Sequence, residues 1–164
     1  MIFHLKYREC RTGALTGAVL IVALLMWPSA ATAAKSAGDF HKVSEILIDS
    51  GISALDKEKL DDARQTFEQA VVADPSNAKA FSYLGYAHYR KGDRALAKKY
   101  FSIALDIDPN ERHALSWGGQ VDLAAADLEG AEAKLLRLSR LCGTDCSEYK
   151  ILSDAVSSYK TKAN

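Results

Sequence analysis

"AKAFSYLGYAHYRKGDRALAKKYFSIALDIDPNE", residues Ala78 to Glu111, has a faint copy of itself immediately upstream. The copy is "SEILIDSGISALDKEKLDDARQTFEQAVVADPSN", Ser44 to Asn77. Gly85 falls on Gly51, Ala97 on Ala63, Phe101 on Phe67, Ala104 on Ala70, Asp108 on Asp74 and Pro109 on Pro75, each at an offset of 34. Self-similarity at one fixed period of this length marks a stacked repeat, so it is read before any single motif.

Each copy has the make-up of a helical hairpin. Two antiparallel helices approach closely only where small residues face one another, which suits Gly85 in the first helix and Ala97 in the second. Leu84, His88, Phe101 and Leu105 fill the space beside the crossing. His88 reads there as a packed histidine satisfied by a neighbour rather than as a catalyst or metal ligand. Gly92 and Asp93 supply the turn. Pro109 ends the second helix and biases Asp108 out of it, so the chain turns back. Each hairpin keeps an apolar face that only a stacked neighbour covers.

With these residues in place, the second unit resembles a tetratricopeptide repeat along its full length. Phe81, Leu84, Gly85, His88, Gly92, Ala97, Phe101, Ala104 and Pro109 stand at that family's large, small and terminating positions. The first unit matches at Leu47, Gly51, Ala54, Leu60, Ala63, Phe67, Ala70 and Pro75. It departs at Ser50, where a leucine is usual, and at Glu58, where the turn glycine usually sits. A third unit, Arg112 to Asp145, keeps Leu115, Gly119, Ala131 and Leu135. It has Gly118 for the leucine, Asp122 at an aromatic position, Leu138 for a small residue and Gly143 in the proline slot. The resemblance implies an all-α, right-handed solenoid of three hairpins over 44–77, 78–111 and 112–145. Beyond it, "DCSEYKILSDAVSSYK" reads as an amphipathic helix with Tyr149, Leu152, Val156 and Tyr159 on one face, Asp145 and Glu148 having capping-box spacing. Residues 146–164 would then form the capping helix and tail that close the last hairpin. The tail from Leu138 to Tyr159 also resembles the ends of small exported bacterial repeat proteins.

Residues 1–33 read as a secretory signal peptide. Lys6, Arg8 and Arg11 precede the apolar run "TGALTGAVLIVALLMW", Thr12 to Trp27, and an A-x-A site follows at Ala31 to Ala33. The other reading is an uncleaved anchor, although the run is slightly short of the roughly 20 residues that span a bilayer. Residues 34–43 would be a short lead into the first hairpin. The expected location is the periplasm or another exported compartment. Cleavage removes Cys10 and leaves Cys142 and Cys146, a pair in a compartment that permits disulfides. Gly143 and Asp145 reverse the chain between them, favouring a structural staple on the terminal helix. The alternative is a redox-active pair, hence an envelope thiol-disulfide factor. Two thiols alone lack the ligands for a metal site.

The balance of 21 basic and 21 acidic residues argues against a broad surface for nucleic acid or anionic lipid. Removing residues 1–33 leaves 18 against 20. The chain has no Gly-rich phosphate loop, paired-cysteine zinc framework, H-E-x-x-H or G-x-S-x-G stretch. It reads as a non-enzyme with no cofactor, no metal and no small-molecule substrate, touching a membrane only through an uncleaved signal.

Recognition remains. In such a stack the first helices line a concave surface. Carried over position by position, the resemblance implies a groove of Glu45, Ile48, Ile52 and Leu55 from the first unit. The second adds Lys79, Ser82, Tyr86, Tyr89 and Arg90, and the third His113, Ser116, Gln120 and Leu123. Tyr86, Tyr89 and Arg90 stand out, having no packing role that requires them and belonging to types enriched at interface hot spots. Family members that bind chaperones grip a terminal carboxylate with a lysine and asparagine set, but Ile48 and Ile52 occupy the first two places here. The expected ligand is an extended peptide or a partner helix. Self-association is a further possibility, because Phe40 to Val43 precede the first hairpin with no evident cover.

Overall fold

A computed structural model of the chain describes the backbone of residues 30–163 and the side chains of residues 38–162. The signal-peptide reading, with its apolar run, His4 and Cys10, lies outside the described residues apart from the start of the first helix. Among the described residues there are seven helices: α1 (Ala30–Asp56), α2 (Leu60–Ala73), α3 (Ala78–Arg90), α4 (Arg94–Ile107), α5 (Arg112–Ala124), α6 (Leu128–Cys142) and α7 (Ser147–Ala163). None is long and apolar enough to cross a membrane. α1 runs unbroken through residues 34–43, so the lead and the first helix of the first hairpin are one element. Its alanine-rich start favours helix and no proline interrupts it.

The helices pair as the 34-residue period requires, α1 with α2, α3 with α4 and α5 with α6. Phe101, 2% exposed, sits against Gly85 of α3, and a methyl group added at Gly85 would lie 2.8 Å from its ring. Phe67 holds the equivalent place against Gly51. These glycines are required by close approach: any side chain there drives the two helices apart. Ala63, Ala97 and Ala131 are all fully buried at the opposing position of their hairpins.

Neighbouring hairpins also touch, and they do so asymmetrically. α1, α3, α5 and α7 contact one another in sequence, whereas α2, α4 and α6 contact only first helices and α7. A layer whose helices touch is shorter than one whose helices are spaced, so the array bends with α1, α3, α5 and α7 on its inner side. The result is an all-α helical-repeat fold. α7 packs on α5 and α6 through Leu152, fully buried, and Val156. It begins at Ser147, with the Lys150 N–H donating to the Cys146 carbonyl at 3.2 Å. Asp145 is therefore exposed and outside the helix, not its cap.

The departures of the third unit are compensated. Where the second unit has buried Leu84, the third has Gly118, and the aliphatic stem of Lys134 from α6 lies over it, 3.5 Å from where a methyl group would be. Asp122, 3% exposed, receives the Lys134 ammonium at 2.5 Å and the Lys98 ammonium at 3.6 Å. A lysine thus replaces both the volume of the leucine and the aromatic partner. His88, at the same position in the second unit, stacks on Tyr100 with ring centroids 5.3 Å apart. Its Nε2 is buried without a hydrogen-bond partner among the described residues, and burial pushes its pKa below the usual histidine value. The packing role stands, but the expected neighbour that would satisfy the ring is absent there.

The three hairpin turns share one backbone conformation. Gly92 has φ 85°, and the residues one period before and after it, Glu58 and Ala126, have φ 57° and 61°. Only glycine adopts this left-handed region without strain. The turn glycine missing from the first and third units therefore leaves the geometry unchanged and adds a cost on the order of 1 kcal/mol at each.

Candidate functional site: the inner groove

The inner layer presents columns of side chains spaced one repeat apart. Ile48, Ser82 and Ser116 form one such column, and all three are buried, with 0%, 0% and 1% exposure. Ile48 packs against Ala70 and Ala80. The Ser82 hydroxyl donates to Glu111 at 2.5 Å, and the Ser116 hydroxyl donates to the Glu148 carbonyl at 2.9 Å. This column points between adjacent first helices, so Ile48 and Ser82 are not groove residues and join neighbouring repeats instead.

The other expected positions are accessible in part. Lys79 pairs with Glu45 at 2.7 Å, and Glu45 also accepts from the Asn77 amide at 2.9 Å. Burial would raise the Glu45 pKa, but the hydrogen bonds from Lys79 and Asn77 outweigh it and hold the carboxyl below its usual range. Ile52 and Leu55 are half-buried against the core of the first hairpin, and Gln120 is half-buried on α5. Arg90 is exposed, with its guanidinium 5.8 Å from the centroid of the Tyr86 ring. Tyr86 and Tyr89 both pack against the central core cluster, so each has the structural role that the sequence reading denied it.

Trp117 and Tyr83, which sequence reasoning missed, form the centre of the groove. Trp117 stacks on Tyr86 with centroids 4.3 Å apart and meets Tyr83 edge-on at 5.2 Å. His113 lies 5.0 Å from Trp117 and 5.2 Å from Tyr83. These four rings make one continuous, half-buried aromatic floor across α3 and α5. The signal that finds them is the same offset of 34: Asp49, Tyr83 and Trp117 are one column, adjacent to the buried one.

Glu111, 9% exposed and the N-cap of α5, organises this floor. It accepts from the Ser82 hydroxyl and the Ala114 N–H, each at 2.5 Å, and from His113 Nδ1 at 3.0 Å. A carboxylate only accepts, so the proton of a neutral His113 sits on Nδ1. Nε2 is then free to accept from the Tyr83 hydroxyl, 3.4 Å away. At the α7 end, Glu148 accepts from the Ser147 hydroxyl at 3.0 Å and lies 3.9 Å from both Arg112 and His113. Next to it the sulfurs of Cys142 and Cys146 are joined across the α6–α7 junction, with Cα atoms 5.9 Å apart.

Stacked hairpins with touching first helices and an inner aromatic floor define a helical-repeat scaffold. The chain matches the family model described as tetratricopeptide repeat over residues 48–112. Among solved structures it is similar to the first such domain of RPAP3 bound to the HSP90 peptide SRMEEVD. That match has a TM-score of 0.64 and 20% identity, covering 74% of this chain and 94% of that one. It is also similar to the Yersinia enterocolitica type III secretion chaperone SycD in complex with a peptide of the translocator YopD. Here the TM-score is 0.60 with 22% identity, covering 73% of this chain and 94% of that one. At these identities the likeness shows the fold. In sequence, the chain is 36% identical over 67 residues to cellulose synthase operon protein C of Escherichia coli K12, covering 41% of this chain. It spans only 6% of the length of that relative.

Proposed function

We propose that this chain is an exported, non-enzymatic interaction module of the cell envelope whose inner groove binds a segment of another protein. The aromatic floor of Tyr83, Tyr86, His113 and Trp117 is the single observation that carries this reading. Large rings held by one another and left half-open to solvent offer contact area at little further entropic cost. The peptides bound to the similar domain of RPAP3 and to SycD favour the same use of the fold. Export is supported by the basic start, apolar run and A-x-A site of residues 1–33.

Tyr86→Ala combined with Arg90→Ala is expected to leave the far-ultraviolet circular dichroism close to that of the wild type. Partner capture from envelope extracts should fall about tenfold or more, the size of a hot-spot loss. Undiminished capture by the folded double variant would move the site away from the groove.

A second reading, a thiol-disulfide factor, is favoured only by the joined Cys142 and Cys146. As a staple closing so short a loop, the bond contributes on the order of 2 kcal/mol. Cys142→Ser with Cys146→Ser should therefore lower the unfolding midpoint modestly and leave partner capture intact. Rapid exchange of the wild-type pair with glutathione buffers, together with loss of activity toward a disulfide substrate in the double variant, would favour the redox reading instead.

A further inference from the structure

The charges around the aromatic floor indicate what kind of segment the groove takes, an inference that rests on the groove reading above. Burial, and then the fields of Glu111, Glu148, Asp49 and Glu45, raise the pKa of the Tyr83 hydroxyl, so four carboxylates act on the middle of the floor. Of the cations of the same region, Lys79 and Arg112 are engaged by carboxylates, while Arg90 takes part in no ion pair among the described residues. Lys79 pairs with Glu45, Arg112 lies beside Glu148, and Arg90 lies over Tyr86. Of the four carboxylates, Asp49 differs. It is exposed and takes part in none of the ion pairs among the described residues, yet it stands one repeat from Tyr83 and two from Trp117 in the same column.

An aromatic face carries negative potential, and a nearby unpaired carboxylate adds to it. Arg90 over Tyr86 shows that a guanidinium already rests on one ring of this set. We propose that the groove recognises a lysine or arginine side chain of an extended partner segment, its stem against Tyr83 and Trp117 and its charge directed to Asp49. An acidic segment would instead meet Glu45, Asp49, Glu111 and Glu148, with Arg90 at the Tyr86 end as the cation outside the ion pairs among the described residues.

The test pans a phage-displayed library of random peptides on the full chain and measures recovered sequences against variants. Lysine and arginine should be over-represented among the recovered peptides. Asp49→Lys should weaken these peptides about tenfold and Asp49→Asn about threefold, with unchanged circular dichroism because Asp49 is exposed. Recovery of acidic peptides, or of basic ones indifferent to both Asp49 variants, overturns the cation assignment. If those peptides are still lost in Tyr86→Ala, the groove itself survives as the site. Recovery of no peptide that responds to Tyr86→Ala overturns both readings.

Discussion

Phe101→Ala is expected to destabilise the protein by about 3–5 kcal/mol, the range for emptying a buried aromatic site. Phe101 lies between α3 and α4, against Gly85 and beside Ala97, and belongs to the cluster that also holds Phe81, Ala104, Ala114 and Val121. Toward α3 the ring meets the Gly85 backbone, with Ala97 beside it, so on that side little can collapse into the space. Phe101→Leu keeps most of the volume and should cost about 1–2 kcal/mol. Urea unfolding followed at 222 nm measures both. A loss below 1 kcal/mol for the alanine variant would mean that the hairpin crossing is not where the stability lies.

Glu111→Ala is the second large effect, and its cause is polar. It removes the cap of α5 at the Ala114 N–H and leaves His113 Nδ1 without its acceptor, while the buried Ser82 hydroxyl keeps the Ala78 carbonyl at 3.1 Å. A lost cap costs about 1 kcal/mol and each unsatisfied buried donor about 1–3 kcal/mol, so a total on the order of 3 kcal/mol is expected. The acid limb of stability should change too. Burial would raise the Glu111 pKa, but the hydrogen bonds from His113, Ser82 and Ala114 outweigh it and hold the group below its ordinary value of 4.5. A carboxyl depressed in the folded state stabilises fully above the unfolded value and loses that contribution as pH falls through the folded one. The melting temperature should therefore decline below about pH 4.5 in the wild type and less steeply in Glu111→Gln. Glu45, Asp74 and Glu148 are shifted the same way and leave a residual slope. An identical decline in Glu111→Gln would show that the network does not hold the carboxylate in the manner described.

The hairpins were legible because their determinants are small residues at close crossings and prolines at helix ends, which leave fixed marks at a fixed period. Even Glu58, which lacks the glycine mark, falls at the turn by the period alone. The groove was legible only to within one residue. Columns 48/82/116 and 49/83/117 differ by a rotation of about 100° on the same helices. Which of them faces the open side depends on the tilt between neighbouring first helices, a property of the packed stack that no single repeat encodes. That is why Ile48 and Ser82 were expected in the groove and Trp117 was not. The Glu111 network was hidden for a similar reason. Its carboxylate sits at a helix start, where acidic residues are ordinarily solvated caps, and only stacking brings Ser82 and His113 around it.

The three turns with positive φ set a gradient of rigidity along the array. Only the middle hairpin closes with glycine, so the two outer hairpins carry strain that the central one lacks. In a linear array, where each unit holds only its neighbours, local opening starts at the weaker ends and moves inward. The central hairpin, which carries Tyr83 and Tyr86, is therefore expected to loosen after the first, while α7 and the Cys142–Cys146 bond hold the third. Thermal fraying of the first hairpin would leave the aromatic floor on α3 and α5 assembled, a buffering of the recognition surface against partial melting.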